Sequence, residues 1–253
     1  MRRTGSLGMV LCLWILMLPA GALAECTEGD CINGKGVYRF INGEAYHGEF
    51  KDGQRNGQGI NTYPDGSKYS GQFYRNLRHG QGKETFASGA IYEGDYVYGQ
   101  RSGQGVLIFP NGDKYVGSFK DNQRNGQGAY TFTNGELYSG EFQNDQRNGR
   151  GVYTFPDGRT YEGEFKDDLF EGQGTLTFPN GDRYEGEFKA GMLDGQGRLD
   201  FANNEKYVGE FSSGEMHGHG VYTFDNGETY EGEFRHGELV AQPLDNEEDA
   251  KES

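Results

Sequence analysis

The sequence is poor in hydrophobic residues, which occupy 33% of its 253 positions, and it contains 44 glycines. Such a composition is typical of disordered chains, because too little apolar surface is available to form a core. The glycines nevertheless recur at fixed positions, with aromatic residues between them. That regularity is what a stacked aromatic core requires, so we expect a folded chain.

Basic residues are also few, since 24 lysines and arginines stand against 39 acidic residues, for a net charge of −15. A surface of this charge repels nucleic acid and anionic lipid headgroups. We therefore predict no nucleic-acid partner, and we expect lipid binding only if the basic side chains are gathered on one face.

Cysteine is scarce, with three residues in the whole chain, of which Cys12 belongs to the N-terminal apolar segment. The remaining pair, Cys26 and Cys31, cannot by itself complete a tetrahedral zinc site. In an oxidising compartment the two could close a small local loop. A Cys26–Cys31 disulfide is therefore the first interpretation, and a metal site the second.

Motifs for catalysis are missing as well. The chain contains no Ser-His-Asp or Cys-His pattern, no phosphate-binding loop and no calcium-loop spacing. Its one histidine cluster, at His217, His219 and His236, is not completed by cysteine or carboxylate ligands. We predict that the protein is not an enzyme and has no cofactor and no metal site. A secreted hydrolase with a site between repeats is the remaining catalytic alternative.

The only long apolar run lies near the N-terminus. Arg2 and Arg3 precede a mostly apolar stretch over residues 7–18, and the tripeptide ending at Ala24 fits a small-x-small cleavage site. The run is too short to span a bilayer comfortably. We expect residues 1–24 to be a signal peptide and the mature chain to be exported, to the periplasm or outside the cell. A lipoprotein anchored at Cys26 is the weaker alternative, because Glu25 is a poor residue before a lipidated cysteine.

In place of these features the sequence has a repeat. The pattern Tyr-x-Gly-x-Phe returns every 23 residues without insertion or deletion, with Tyr96 replacing the phenylalanine once. A fixed period of this length indicates stacked structural units rather than one central core. The nine tyrosines are Tyr46, Tyr69, Tyr92, Tyr115, Tyr138, Tyr161, Tyr184, Tyr207 and Tyr230.

Each unit alternates β-branched and aromatic residues in two short halves, which is typical of strands. Asn-Gly or Asp-Gly separates the halves, and these dipeptides supply the positive φ angles of tight hairpin turns. Asn204 replaces the glycine once and tolerates the same conformation. Each unit is therefore predicted to be a β-hairpin, followed by a loop such as residues 166–171. A lone hairpin is barely stable, so neighbouring units must supply the core. We expect like aromatic positions, represented by Phe155, Tyr161 and Phe165, to stack on like.

The predicted fold is an all-β, elongated single-sheet solenoid of stacked β-hairpins over residues 34–240. Residues 25–33 form an N-terminal lead, and residues 241–253 an acidic, disordered tail. The segment from Tyr161 to Phe165, followed by Gly172 and Gly174, resembles the MORN (membrane occupation and recognition nexus) repeat. The resemblance implies an elongated β-sheet array and a role at membranes or in protein assemblies.

One position of the predicted loop changes character along the array. It holds arginine in the first five units and apolar residues afterwards. If the loops stack, one edge is basic and then apolar, and both features are favoured at partner sites. In the alternative interpretation, the apolar residues tuck beneath their own loops. The residues of this predicted interaction edge are Arg55, Arg78, Arg101, Arg124, Arg147, Phe170, Leu193 and Met216, with Leu239 following.

A ladder of acidic residues also follows the glycine of the Tyr-x-Gly motif, as at Glu49, Glu141 and Glu187. It could attract calcium or a basic partner, or be a solvated face. Taken together, these patterns predict an exported, non-catalytic scaffold for protein interaction or assembly. A peripheral, phospholipid-binding protein of the cell envelope is the alternative. A homodimer is compatible with the open ends of such a sheet.

Overall fold

The computed structural model describes residues 24–240 of the chain. The regular secondary structure within these residues consists of β-strands alone. The predicted signal peptide, except for its last residue, and the predicted acidic tail lie outside the described residues. The strands are β1 (Glu25–Gly29), β2 (Lys35–Arg39), β3 (Ala45–Lys51), β4 (Gln54–Thr62), β5 (Lys68–Tyr74), β6 (Leu77–Thr85), β7 (Ile91–Val97), β8 (Gln100–Ile108), β9 (Lys114–Lys120), β10 (Gln123–Thr131), β11 (Leu137–Gln143), β12 (Gln146–Thr154), β13 (Thr160–Lys166), β14 (Leu169–Thr177), β15 (Arg183–Lys189), β16 (Met192–Asp200), β17 (Lys206–Ser212), β18 (Glu215–Thr223), β19 (Thr229–Arg235) and β20 (Glu238–Leu239).

Each strand pairs antiparallel with the next strand along the chain, so the twenty strands form one open sheet. This confirms the predicted all-β sheet of stacked hairpins. The sheet begins before residue 34, because β1 pairs with β2 and belongs to the segment predicted as a lead. The sulfur of Cys26 in β1 is joined in a disulfide to that of Cys31, which follows the strand.

The connection that carries Asn-Gly or Asp-Gly has five residues, of which the middle three form the turn. Between β12 and β13, the Phe155 amide donates to the Arg159 carbonyl (2.9 Å) and the Gly158 amide to the Phe155 carbonyl (3.0 Å). Only Gly158 has a positive φ, of 89°, whereas Asp157 accepts a hydrogen bond from the Arg159 amide through its side chain. The expectation that both residues of the dipeptide supply positive φ is therefore wrong. Asn204 keeps the turn with a φ of 72°, as predicted.

The connection predicted as a longer loop is instead the tightest turn of the unit. Between β13 and β14 it consists of Asp167 and Asp168 alone, with φ of 49° and 70°, while Lys166 pairs with Leu169. Two consecutive positive φ angles define the hairpin turn whose twist matches that of the strands. The prediction of a loop over residues 166–171 is therefore wrong, because residues 169–171 belong to β14.

The core is a row of tyrosine rings lying across paired glycines. Gly163 pairs with Gly174, and a Cβ added to Gly174 would lie 2.6 Å from Cε2 of Tyr161. The Tyr161 side chain is 0% exposed, and its hydroxyl donates to the Glu164 carbonyl at 2.7 Å. The glycines are therefore required where the ring crosses the strands, since a side chain there would occupy the place of the ring.

Tyrosine and phenylalanine alternate along this core. The ring of Tyr161 meets Phe165 of its own unit at 5.2 Å and Phe188 of the next at 4.8 Å, both edge to face. The expectation that like aromatic positions stack on like is wrong. The edge-to-face arrangement is the one that the charge distribution of aromatic rings favours.

Candidate interaction face

The alternation of side chains along the strands gives the sheet two different faces. One face, called here the aromatic face, carries the tyrosines and phenylalanines of the core. The other face carries residues such as Val116 and Val208, which are 43% and 45% exposed. The residues of the predicted interaction edge lie on the aromatic face.

These edge residues stand within strands and not in loops, which corrects their predicted position. Each is the second residue of a nine-residue strand and pairs with the phenylalanine, or with Tyr96, that ends the Tyr-x-Gly-x-Phe motif in the preceding strand. Arg55 of β4 pairs in this way with Phe50, and Phe170 of β14 with Phe165. They therefore form a row across the aromatic face, called here the covering row, because their side chains lie over the core.

In the first half of the array the covering row is a set of half-buried arginines. The Cζ atom of Arg147 lies 5.7 Å from the ring of Tyr138 and 5.1 Å from that of Tyr153. Its guanidinium also donates to the Asp168 carbonyl (2.8 Å) and to the Asp168 carboxylate (3.0 Å). Cation–π contacts and charged hydrogen bonds thus tie each unit to the turn of the next.

Most of the positive charge in this row is compensated. Ion pairs join Arg55 to Glu44, Arg78 to Glu84, Arg124 to Asp145 and Arg147 to Asp168. A membrane-binding surface needs basic side chains directed to the solvent, whereas these arginines are held by carboxylates and rings of the same chain.

In the second half, apolar side chains take the place of the arginines. The ring of Phe170 stacks on that of Tyr161, with centroids 3.9 Å apart and planes inclined by 22°. Leu193 and Met216 pack against the same core and remain partly exposed. The row is apolar here, and it covers the tyrosines directly, without a loop above it. Whether it binds a partner stays a prediction.

The acidic ladder lies on the opposite face, where several of its members bond to the backbone. Asp95 accepts a hydrogen bond from the Gln104 amide at 2.8 Å, and Glu141 one from the Arg150 amide at 3.2 Å. These amides lie where the pairing of the strands is irregular. The carboxylates therefore satisfy donors that the sheet leaves unpaired.

Glutamates of this face also border an open cavity of about 660 Å³ between β10 and β15. Its lining includes Glu141, Glu162, Glu164 and Glu185, with Arg150 among them. Residues 24–240 contain no group of three or more side chains that could hold a metal ion. No helix in that range is long and apolar enough to cross a membrane.

Burial also affects the ionisation of the core. It raises the pKa of Tyr92 and Tyr115 to about 12. Their hydroxyls stay protonated at neutral pH and donate to the carbonyls of Asp95 and Ser118. The tyrosines thus act as uncharged hydrogen-bond donors, which suits a structural role.

The MORN repeat model matches ten consecutive segments of the sequence, from residue 32 to residue 240. The chain belongs to the MORN repeat family. The matched segments are 32–45, 46–68, 69–91, 92–114, 115–136, 138–158, 161–183, 184–206, 207–229 and 230–240. The family model matches ten segments, whereas nine repeats were predicted. It places the repeat boundaries just before the tyrosines, so a partial MORN repeat is left at each end of the array. Membership of this family indicates a binding role, toward proteins or membranes.

Similar folds occur among solved structures. The TCP10 domain of CPAP from Danio rerio, in complex with a STIL peptide, has a TM-score of 0.48 and 14% identity, covering 84% of the MORN chain and 100% of its own. The TCP domain of SAS-4 from Drosophila melanogaster, in complex with a proline-rich motif of Ana2, has a TM-score of 0.40 and 13% identity, covering 61% and 84%. Similarity at this level does not show a shared partner. No curated protein matches the sequence significantly.

Proposed function

We propose that the protein is an exported, non-catalytic MORN scaffold that binds another protein along the aromatic face, between β12 and β18. One observation carries this proposal. Partly exposed apolar side chains lie in succession over the core of this half, where a partner can bury them. They are Phe155, Phe170, Phe178, Leu193, Phe201 and Met216, called here the apolar strip.

Carboxylates beside the apolar strip define the chemistry of the partner. Glu44 pairs with Arg55 from a position eleven residues earlier in the chain. Asp182 and Glu205 hold the same position relative to Leu193 and Met216, where the covering row offers no arginine, whereas Arg159 holds it before Phe170. Asp182 accepts a hydrogen bond from the Ala202 amide and Glu205 one from the Tyr222 hydroxyl, but neither is part of an ion pair within residues 24–240. We therefore expect a polypeptide whose apolar side chains are flanked by lysine or arginine. Contacts to successive repeats would add through multivalency.

Two substitutions test this surface with little risk to the fold. In Leu193→Arg and Met216→Arg, each new arginine occupies a position that arginine already fills in five units, and Asp182 or Glu205 can pair with it. We expect the double variant to keep the melting temperature within a few degrees of the wild type. It should lose the partner, because the apolar contact disappears and the new arginines neutralise the two carboxylates.

The matched control is Val208→Thr on the opposite face. Candidate partners are captured with the wild type, identified by mass spectrometry, purified and titrated against all three proteins. A purified partner that binds the wild type and the control equally, and the double variant at least tenfold more weakly, supports the proposal. Equal affinity for all three proteins removes the apolar strip as the site.

The lipid alternative and the export are tested separately. The mature chain, residues 25–253, is floated with neutral and anionic liposomes at low and physiological salt. Salt-sensitive flotation with anionic vesicles alone would favour the membrane role over the scaffold. Support for export comes from the basic start, apolar run and cleavage pattern of residues 1–24. N-terminal sequencing of the exported protein should then begin at Glu25.

A further inference from the structure

The arginines of the covering row obtain their carboxylates from three positions that recur in every unit. These lie 11 residues before the arginine, 6 after it and 21 after it. Arg55 uses the first, through Glu44, and Arg78 the second, through Glu84. Arg124 and Arg147 use the third, through Asp145 and Asp168.

Arg101 is the exception, because its unit has no carboxylate at any of these positions. The three residues are Ala90, Leu107 and Asn122. The guanidinium donates to the Asn122 carbonyl at 2.6 Å, and no ion pair joins Arg101 to another residue in the range 24–240.

The surroundings of this charge are aromatic. The Cζ atom of Arg101 lies 5.8 Å from the ring of Phe86, 5.5 Å from that of Tyr92 and 5.6 Å from that of Phe119. A guanidinium held against rings is partly removed from water, so a charged acceptor gains more there than at an open surface.

A cavity of about 400 Å³ opens at this guanidinium. Its apolar wall includes Phe86, Leu107 and Phe109, and its polar lining includes Ser88 and Asn122. Arg124 and Asp145 also border it, but they pair with each other. The net charge of the lining is therefore one positive charge, at Arg101.

We propose that this cavity binds a carboxylate carried on a small apolar body. The carboxylate takes the place of the acidic side chain that this unit lacks, and the apolar body lies against the aromatic wall. The carboxylate can belong to a free organic acid or to the C-terminus of a peptide that ends in an aromatic residue. The site lies in the first half of the array and does not depend on the proposed function of the apolar strip.

The variant Asn122→Asp supplies the missing carboxylate from within the chain. Asp145 and Asp168 occupy the same turn position with φ of 70°, and Asn122 has a φ of 71°, so aspartate fits there. A second variant, Arg101→Met, removes the charge, and Met216 shows that methionine fits the row. The matched control is Arg147→Met, which changes a paired arginine outside the cavity.

Binding of phenylacetate to the full mature chain is measured by calorimetry and by NMR, with phenylacetamide as the neutral probe. We expect saturable binding of phenylacetate and none of the amide. Each variant removes the charged hydrogen bond to the ligand, so Asn122→Asp and Arg101→Met should each weaken binding about tenfold or more. Arg147→Met should leave the affinity unchanged.

The source of the carboxylate is distinguished with acetyl-Ala-Phe, carrying either a free or an amidated C-terminus. Tighter binding of the free-carboxylate peptide than of phenylacetate indicates a peptide ligand, and the reverse order a free acid. Any of three results would overturn the site. The first is that neither phenylacetate nor the free-carboxylate peptide binds saturably, and the second is that the amide probes bind as tightly as the carboxylates. The third is that Asn122→Asp melts at the wild-type temperature and still binds with wild-type affinity.

Discussion

Replacing Gly174 by alanine tests whether the tyrosine rings lie on the glycine pairs. The new methyl carbon would lie 2.6 Å from Cε2, 2.7 Å from the hydroxyl oxygen and 2.8 Å from Cζ of Tyr161. The ring cannot move aside freely, because it is fully buried between Phe165 and Phe188. Overpacking of this kind costs about 1–3 kcal/mol, while the stiffer unfolded chain returns about 0.4–1 kcal/mol. We expect a net loss of about 1–2 kcal/mol in the free energy of unfolding.

The cause is isolated by repeating the substitution in a Tyr161→Leu background. Without the ring, Gly174→Ala should cost less, and the coupling free energy between the two sites should be about 1 kcal/mol or more. The assay is urea unfolding, together with hydrogen exchange of the amides in β13 and β14, because a repeat array can unfold locally.

The control is Gly191→Ala, at a glycine with a φ of 87° and no atom within 4 Å of the added carbon. It carries only the backbone cost of a left-handed residue, about 1–2 kcal/mol, and that cost should be the same in both backgrounds. The proposed position of the ring is refuted if Gly174→Ala matches the wild type in stability, or costs the same with and without Tyr161.

Three further outcomes are expected. Tyr161→Ala should cost about 3 kcal/mol or more in urea unfolding, and Tyr161→Phe, which loses one hydrogen bond, about 1 kcal/mol; an unchanged midpoint in both would remove this residue from the core. Burial raises the pKa of Tyr92 and Tyr115 from about 10 to about 12, so their contribution to stability is complete below pH 10 and is lost as the pH rises toward 12. Circular dichroism and tyrosinate absorbance should therefore change together in this interval, and a folded chain with fully ionised tyrosines would contradict the burial. Reducing the disulfide of Cys26 and Cys31 should increase hydrogen exchange in β1 and β2 alone, because each repeat contacts only its neighbours; faster exchange in the central strands would be contrary to this.

The sheet and its aromatic core could be predicted from the repeat, because the period, the tyrosines and the glycine pairs all recur without interruption. The two-residue turns could not be recognised with the same ease. Asp167-Asp168 and Asn144-Asp145 lack the glycine that usually marks two positive φ angles, yet they adopt the same turn as Asp52-Gly53. The sheet holds these residues in a conformation that their own preferences do not indicate.

The error in the position of the covering row follows from that turn. Once residues 166–171 are assigned to a loop, Phe170 appears at an exposed edge, although it lies in β14 over Tyr161. The missing partner of Arg101, by contrast, is visible in the sequence. Finding it requires that the units be compared at fixed sequence separations from each arginine. Those separations are known only from the contacts of Arg55, Arg78 and Arg147 in the structure.

The register of the strands also constrains how such a gene can change. Successive side chains alternate between faces, so a single codon inserted in β13 would turn Tyr161 to the solvent and bring charged neighbours onto the core. A whole repeat can be gained or lost at an internal junction without changing this alternation, because the strands pair in the same register at each one. Recombination between repeats therefore yields arrays of different length that still fold, and selection can adjust the reach of the protein without redesigning its interior.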